Sequence, residues 1–238
     1  MGHNAEYSFS ILSHRAPVWR LIQSRNMVRY MPHDPGQLFA FVWSGWTTTW
    51  PTQLFAIIWI LWIVSWVLAS FWSGRTYKHV MIWESARYRF PILVGAILFM
   101  PWTGKVLGEQ PLWQFGNLGI YVLAVLTLAG ISFTWWARIH LGRFWSNAIT
   151  HKEDHRVIDT GPYGLVRHPI YTGLIAGMLV TGVAVGTVTA MLGAMLISVG
   201  MWQKARMEEA FLTAELGADA YGSYCRRVPM LIPFLPPT

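Results

Sequence analysis

The amino-acid sequence predicts an all-α protein that crosses a membrane about five times. Its 238 residues contain three stretches without Asp, Glu, Lys or Arg, at 35–74, 110–137 and 169–203. Each stretch is longer than the roughly 20 apolar residues that a helix needs to cross the hydrocarbon core of a bilayer. Charged residues make up 12% of the chain, against about 25% in a soluble domain. The 15 tryptophans favour the same class, because indole rings concentrate at the membrane–water interface.

Residues 1–50 are interpreted as an N-terminal extension. Residues 1–36 are polar, and three prolines discourage a long helix there: Pro17, Pro32 and Pro35. Residues 38–50 are apolar and aromatic but too short to span a bilayer, which favours an interfacial segment. We expect no cleavable signal peptide, because the first 34 residues carry four arginines and lack a sufficiently long apolar core.

Residues 51–137 are predicted to contain three membrane-spanning helices. The first is expected over Gln53–Trp72, and the second over Phe90–Leu107 with an interruption at Pro101. A third is expected at about Leu118–Ala137. A polar, mainly basic loop at 73–89 separates the first helix from the second.

The uncharged run Pro169–Gln203 is too long for a single span and predicts a helical hairpin. Val185-Gly186-Thr187 offers a break between one arm at Ile170–Ala184 and a second arm that begins at Thr187. Two pairs of glycines with small-xxx-small spacing permit close helix packing: Gly173 with Gly177, and Gly182 with Gly186. Because glycine is frequent in membrane helices for other reasons, both interpretations of these pairs stay open.

Loop charge predicts the orientation of these five spans. The basic loop at 73–89, the basic stretch at 138–168 and the C-terminal tail fall on one side of the membrane, which should be the cytoplasm. This orientation leaves the four N-terminal arginines on the outer side, and the sequence does not resolve the conflict. We expect a multi-pass protein of the inner or plasma membrane.

Charge and cysteine content exclude other classes. The net charge is +7, but the basic residues are spread over several loops instead of forming the dense patch of a nucleic-acid-binding protein. Cys225 is the single cysteine, so an intramolecular disulfide is excluded. The histidines are scattered, and no metal site is predicted.

The richest group of polar residues runs from His155 to Tyr171. Within it, residues 160–164 have the composition of a turn, and Pro169 suits the first position of a helix. The backbone N–H groups of the first helical turn would form an anion site, and these belong to Ile170, Tyr171 and Thr172. For His168 alone, a capping or interface role is an equal alternative.

A second polar group follows the hairpin on the continuation of its last helix. It contains Lys204, Arg206, Glu208 and Glu209. Ordinary surface ion pairing would explain these charges. Alternatively, one acid and one base from this helix face the turn at 155–171.

Taken together, these strings resemble the isoprenylcysteine carboxyl methyltransferase family. The resemblance depends on the pattern GPY…RHPxYxG, on the acidic pair Glu208-Glu209 and on a tail pattern. The residues concerned are Gly161, Pro162, Tyr163, Arg167, His168, Pro169, Tyr171 and Gly173, and in the tail Gly217, Tyr221, Tyr224, Val228 and Pro229. Order and spacing agree over residues 130–235, whereas the first 110 residues contain no comparable motif.

The resemblance implies a fold, a cofactor and a set of site residues. Residues 138–238 would form a methyltransferase core in which S-adenosylmethionine lies in a pocket on the cytoplasmic side. The cofactor-binding residues would be His155, Val157, Ile158, Tyr163, His168, Pro169, Tyr171 and Glu208. Lys204, Arg206 and Glu209 would be the catalytic residues. Lys204 occupies the place where the family pattern leads us to expect an arginine, which puts the identity of the methyl acceptor in question.

Four functions remain open at this point. The first is carboxyl O-methylation of a lipidated or membrane-partitioned acid, which needs no general base because a carboxylate with a pKa of about 4 is already ionised. The second is phospholipid N-methylation, in which Glu208 or Glu209 would act as the base. A sterol-type reductase with NADPH is the third, but the continuation Ile170-Tyr171-Thr172-Gly173 favours methyl transfer. The fourth is a membrane scaffold without catalytic activity.

Overall fold

The computed structural model describes residue 34 and residues 50–71, 82–142 and 157–237. These residues form α-helices and one 3-10 turn, and no strand is present among them. The helices are α1 (Trp50–Ser70), α2 (Ile82–Phe99), α3 (Pro101–Val106), α4 (Asn117–Leu141), α5 (Pro169–Val185), α6 (Val188–Leu216) and α7 (Ala218–Cys225). The predicted all-α class is confirmed for this part of the chain. The predicted extension at 1–50 and His155 lie almost wholly outside the described residues.

Two of the helices are long and apolar enough to cross a membrane by themselves. They are Gln53–Ser70, within α1, and Asn117–Leu141, which is α4. The shorter helix α5 is also apolar. The outward faces of α1 and α4 carry exposed hydrophobic side chains, for example Leu68 at 65% and Leu118 at 79% exposure. Such continuous apolar surfaces are typical of contact with lipid or with another protein.

The second predicted span differs most from the structure. Helix α2 begins at Ile82, so residues 82–89 are helical although the sequence predicted a loop there. A helix does not end where its apolar residues end, because its backbone hydrogen bonds continue through polar residues of good helical propensity. The predicted interruption near Pro101 is confirmed: α2 ends at Phe99, and Pro101 begins the short helix α3. Helix α2 continues through Pro91.

The predicted hairpin is confirmed as α5 and α6. Gly186 has the left-handed conformation, with φ +72°, and its N–H donates to the carbonyl of Gly182. This is a conformation that glycine adopts at little cost. Thr187 then caps α6, because its side-chain oxygen accepts a hydrogen bond from the N–H of Ala190 at 3.3 Å. The segment before α4 stabilises the α5–α6 turn, since the Trp113 indole donates to the Val183 carbonyl at 2.8 Å.

Glycines allow the helices to approach closely. A Cβ atom on Gly173 would collide with the Gly130 carbonyl of α4, and one on Gly200 would lie 2.8 Å from the Tyr88 carbonyl of α2. Gly173 and Gly177 have the packing role that their spacing allowed, since a Cβ atom on Gly130 of α4 would lie 2.7 Å from the Gly173 carbonyl and 3.1 Å from the Gly177 nitrogen. Gly182 faces α6, where a Cβ atom would lie 3.3 Å from the Ala190 carbonyl. Gly186 does not share this packing role, because it forms the hairpin turn. As a result α5 packs against α4, and α6 packs against α2.

All five longer helices bring one end to the same side of the bundle. The guanidinium of Arg138 on α4 is almost fully buried and donates to the carbonyls of Ala69 and Gly142 at 2.9 and 2.8 Å. The ends of α1 and α4 thus meet there. The start of α2, the start of α5 and the charged part of α6 beyond Gln203 lie at this end too. The opposite end contains the α5–α6 turn and α3.

Candidate functional site

The turn before α5 is fixed by the end of α4. Residues Gly161–Gly164 form one turn of 3-10 helix. Gly161 has φ +59°, and a Cβ atom there would lie 2.8 Å from the His140 ring. The His140 ring is hydrogen-bonded to the Thr160 hydroxyl at 2.9 Å and stacks on the Tyr163 ring with centroids 6.3 Å apart. This arrangement directs the following residues, 166–168, into the protein.

His168 is the N-cap residue of α5, and its ring points towards α6. The predicted anion site at this helix start needs a correction, because the N–H of Thr172 donates to the His168 carbonyl at 3.0 Å. That N–H is the first regular helical donor and is therefore already used.

Two adjacent carboxylates of α6 bind the His168 ring. The Nδ1 atom lies 3.5 Å from Oε2 of Glu208, and Nε2 lies 3.3 Å from Oε1 of Glu209. The ring is parallel to that of Tyr171, with centroids 5.6 Å apart and an interplanar angle of 7°. His168 is buried, at 7% exposure. The first turn of α5 is thus joined to α6 by charge and by hydrogen bonds.

Glu208 has further partners on α5 and α6. Its Oε1 atom accepts a hydrogen bond from the Tyr171 hydroxyl at 2.6 Å and lies 3.8 Å from Nζ of Lys204. The side chain of Glu208 keeps 21% of its surface exposed. The side chain of Glu209 keeps 16% exposed, so the cluster is partly accessible from outside at both carboxylates.

Glu209 is bound by an arginine that the sequence did not assign to the site. The Nε atom of Arg167 lies 2.6 Å from Glu209 Oε1. Its Nη1 atom donates to the carbonyls of Cys225 and Val228 at 2.8 and 2.7 Å. Arg167 stands beside His168 in the RHP string, and that position was the available signal. Its role becomes clear only when its partners, more than 40 positions later, are known.

The C-terminal tail closes over the same turn through backbone hydrogen bonds. The N–H groups of Arg167 and His168 donate to the carbonyls of Pro229 and Met230 at 2.8 and 3.1 Å. The Tyr224 hydroxyl donates to the Tyr163 carbonyl at 2.7 Å. The side chain of Val157 packs against the tail cluster, which consists of Tyr221, Tyr224 and Val228.

The predicted site residues therefore separate into groups. Five of them form one connected cluster: Lys204, Glu208 and Glu209 on α6, with His168 and Tyr171 on α5. Pro169 follows His168, and Tyr163 lies buried in the adjoining turn. Val157 and Ile158 are partly buried, and Val157 packs against the tail. The guanidinium of Arg206 is exposed over the Trp202 ring at 6.0 Å. Since each helical residue turns by about 100°, Arg206 points away from Glu208.

The pKa values at this end follow from the same contacts. Burial acts to lower the pKa of His168, but the hydrogen bonds and charges of Glu208 and Glu209 outweigh burial and raise it. For both glutamates burial acts to raise the pKa, and the hydrogen bonds from His168 together with nearby positive charges lower it instead. Burial also raises the pKa of Tyr163, Tyr221 and Tyr224. The contacts within the cluster thus favour the protonated form of His168 and the ionised forms of both glutamates, with neutral phenols around them.

The segment that contains this cluster is similar to proteins of one known family. Residues 122–214 match the model of the "Isoprenylcysteine carboxyl methyltransferase (ICMT) family". The chain is 33% identical over 106 residues to "Protein-S-isoprenylcysteine O-methyltransferase" of Schizosaccharomyces pombe, which corresponds to 42% of this chain and 43% of that protein. It is 26% identical over 161 residues to "Protein-S-isoprenylcysteine O-methyltransferase B" of Arabidopsis thaliana, covering 63% and 76% of the two chains.

The matched segment contains α5, most of α6 and the whole cluster of Lys204, His168, Tyr171, Glu208 and Glu209. The matched part thus spans less than half of the yeast relative and about three quarters of the plant relative. Through this segment the chain is similar to the isoprenylcysteine carboxyl methyltransferase family, and the chain spans less than half the length of the first of these relatives.

Proposed function

We propose that this protein is an integral membrane methyltransferase that uses S-adenosylmethionine to methylate a carboxylate on a lipidated or membrane-partitioned substrate of the isoprenylcysteine type. The observation that carries the proposal is the cluster of His168, Tyr171, Lys204 and Glu208 where the first turn of α5 meets α6. It lies inside the segment that matches the family, and both curated relatives bear the name of that activity.

The chemistry of the cluster fits this cofactor. S-adenosylmethionine carries positive charge on its sulfonium and ammonium groups, and Glu208 offers a partly exposed carboxylate beside the Tyr171 ring. By resemblance His168 would lie along the bound cofactor, and its two glutamate partners raise its pKa against the effect of burial, which favours a positive charge there. By resemblance, Val157, Ile158, Tyr163 and Pro169 would line the remainder of the binding site, together with His155. When bound, the cofactor supplies a methyl group that a nucleophile can accept without metal chemistry.

The protein's own residues then have two tasks. One is to hold both reactants in line and to exclude water, which accounts for a large part of the rate enhancement in displacement reactions. The other is to orient the acceptor, for which the Lys204 ammonium group supplies the positive charge. A carboxylate acceptor, with a pKa of about 4, arrives ionised and needs no proton acceptor.

The electrostatics favour a carboxylate acceptor over an amine. An amine would have to lose a proton to a base whose pKa lies near the working pH. Glu208 and Glu209 are the carboxylates of the cluster, and the pKa of each lies below its ordinary value. Both are therefore weak bases, which supports O-methylation over the phospholipid N-methylation alternative.

The proposed topology has five spans, formed by α1, α2, α4, α5 and the apolar part of α6, with the cluster at the cytoplasmic end. The basic residues Arg87, Arg89 and Arg138 support this orientation because they lie at the same end of the bundle as the cluster. A reporter fused after Thr238 tests it: we expect cytoplasmic reporter activity, and an external C-terminus would contradict the topology.

The function is tested by measuring the binding of S-adenosylmethionine and NADPH side by side by calorimetry on the detergent-purified protein. We expect S-adenosylmethionine alone to bind, and binding to be lost in His168→Ala and Glu208→Ala. Arg226→Ala, at an exposed position of the tail, is the matched control and should bind normally. Methyl transfer is then assayed with a prenylcysteine acid and with an aminophospholipid. Binding of NADPH, or methylation of the amine alone, would overturn the proposal.

A further inference from the structure

Lys204 is held against two tyrosine rings that belong to two other helices. Its Nζ atom lies 5.8 Å from the ring centroid of Tyr88 on α2 and 5.4 Å from that of Tyr171 on α5. Within about 6 Å a cation is attracted by the electron-rich face of an aromatic ring. The third neighbour is Glu208, at 3.8 Å on the same helix. The ammonium group therefore stands where α2, α5 and α6 meet.

Close packing of the backbone keeps Tyr88 in this place. A Cβ atom on Gly200 would lie 2.8 Å from the Tyr88 carbonyl and 2.5 Å from the side chain of Ile92, so α2 approaches α6 there because residue 200 has no side chain. Gly200 lies about one helical turn before Lys204. Tyr88 itself is buried, at 7% exposure. Its ring is thus fixed at the level of the cluster.

A second cation, Arg89, also lies over this ring, with Cζ 5.9 Å from the centroid. Arg89 is exposed, whereas the side chain of Lys204 is only 14% exposed. Because a cation–π contact is stronger when the cation is shielded from water, the contact of Tyr88 with Lys204 is the one that bears on the site.

Tyr88 lies outside the segment that matches the family, which begins at residue 122. We infer that Tyr88 is a positioning residue: together with Tyr171 it holds the Lys204 ammonium group in the orientation that receives the negatively charged methyl acceptor. This role rests on the proposed function. It assigns α2 to the acceptor side of the site, while α5 and α6 bind the cofactor.

Three variants of the full-length protein in lipid nanodiscs separate this role from a structural one. Tyr88→Leu removes the ring, and Tyr88→Phe keeps it. Tyr121→Leu removes an exposed tyrosine from α4 and is the matched control. For each variant we would measure the Kd of S-adenosylmethionine and the KM and kcat for a prenylcysteine acid. The rate at which an amine-acylating reagent modifies Lys204 would be followed by mass spectrometry, with exposed Lys105 as internal reference.

We expect Tyr88→Leu to raise the KM for the acid roughly threefold to tenfold, as expected for the loss of a shielded cation–π contact. It should leave the Kd of S-adenosylmethionine unchanged and speed the acylation of Lys204 relative to Lys105. Tyr88→Phe and Tyr121→Leu should behave as the unmodified protein. Equal damage by Phe and Leu at position 88, a parallel loss of cofactor binding, or unchanged acylation of Lys204 in Tyr88→Leu would overturn the inference.

Failure of the proposed function would give a different experimental result. Absence of methyl transfer by the unmodified protein to every prenylcysteine acid would overturn that function, and with it the role of Tyr88 towards an acceptor. The acylation rates do not depend on turnover, so they decide separately whether Tyr88 holds Lys204.

Discussion

Glutamate side chains anchor α6 at both ends of the helical bundle, but their partners differ between the two ends. At the turn end, Glu109 accepts hydrogen bonds from the N–H and the hydroxyl of Thr189 at 3.2 and 2.7 Å, and so caps the start of α6. At the cluster end, Glu208 and Glu209 bind a histidine, a tyrosine and an arginine from other parts of the chain.

The contacts at the turn end stabilise the fold, whereas those at the cluster end hold groups that can take part in chemistry. The carboxylate of Glu109 meets backbone and hydroxyl donors, which is the ordinary chemistry of a helix cap. The carboxylates at the cluster end instead meet groups that can carry positive charge, and both keep part of their surface exposed, 21% for Glu208 and 16% for Glu209. Charged groups held together beside apolar spans are costly and mark functional sites. Substitutions at the two ends should therefore differ in kind as well as in size.

The largest effect is expected from Arg167→Met. Removing this arginine takes away the shorter of the two ion pairs of Glu209, leaving the one with His168, and removes the donor to the carbonyls of Cys225 and Val228. Breaking such a buried pair from one side costs about 3–5 kcal/mol. Equilibrium unfolding in mixed detergent micelles measures this loss. The control is Arg227→Met, whose ion pair with Asp159 is exposed and contributes at most about 1 kcal/mol. Similar losses of unfolding free energy in both variants would contradict the expectation that the buried contacts of Arg167 contribute more than an exposed ion pair.

A smaller loss is expected from Gly173→Ala, which tests the helix packing that the cluster depends on. The added methyl group would collide with the Gly130 carbonyl and press on Thr134, so α4 and α5 must separate. Overpacking of this kind costs about 1–3 kcal/mol, and we expect cofactor binding to weaken in the same variant. Gly116→Ala adds a methyl group in open space at the N-cap of α4, so it should leave cofactor binding unchanged and cost less than about 1 kcal/mol of stability through the poorer cap. If the two variants matched, close approach of α4 and α5 would not be required.

At the turn end, Thr189→Val should cost about 1 kcal/mol, the usual net value of one hydrogen bond. The variant keeps the shape of the side chain and removes only the hydroxyl that donates to Glu109. We expect methyl transfer at the unmodified rate, because this end does not contact the cluster. A large fall in kcat with little loss of stability would contradict the division between the two ends.

The pH dependence of stability is a further test of the difference between the two ends, and the expected effect is smaller still. The pKa of His168 is raised in the folded protein, so its contribution is complete below about 6.5 and is lost as the pH rises through the folded value. The pKa of each glutamate is lowered, so their contribution is complete above about 4.3 and is lost as the pH falls through the folded values.

The thermal midpoint should accordingly be highest between about pH 4.3 and 6.5. In His168→Asn the decline on the alkaline side should flatten, whereas Thr189→Val should keep the shape of the unmodified profile. An alkaline decline that persists in His168→Asn would show that it arises elsewhere.

Local patterns predicted the features that depend on neighbours along the chain. The hairpin turn at Gly186 follows from a glycine in a long uncharged run, and the start of α5 follows from Pro169. The shared face of Lys204 and Glu208 follows from their spacing of four residues. The same periodicity indicates that Arg206 lies on another face, as the structure has it, so this information was present in the sequence.

Other features depended on partners far along the chain and were not predicted. The start of α2 at Ile82 was missed because a helix can continue beyond its apolar segment. Arg167 belongs to the RHP motif, but its role was not predicted, because its partners Glu209, Cys225 and Val228 are separated from it by 42 to 61 positions. Tyr88 belongs to none of the motifs that the sequence offers.

The sequence by itself determined the all-α class, the apolar spans, the hairpin and the two polar strings that meet in the cluster, because each of these is set by composition or by spacing within a few residues. Only the tertiary structure decided that α2 packs along α6, that Tyr88 reaches Lys204, and that the tail closes over Arg167. The physical reason is that helices which are apolar on all sides carry little periodicity to indicate which face meets which neighbour. Their partners are selected by glycine contacts and by a few polar groups, and these become visible only when the helices are packed together.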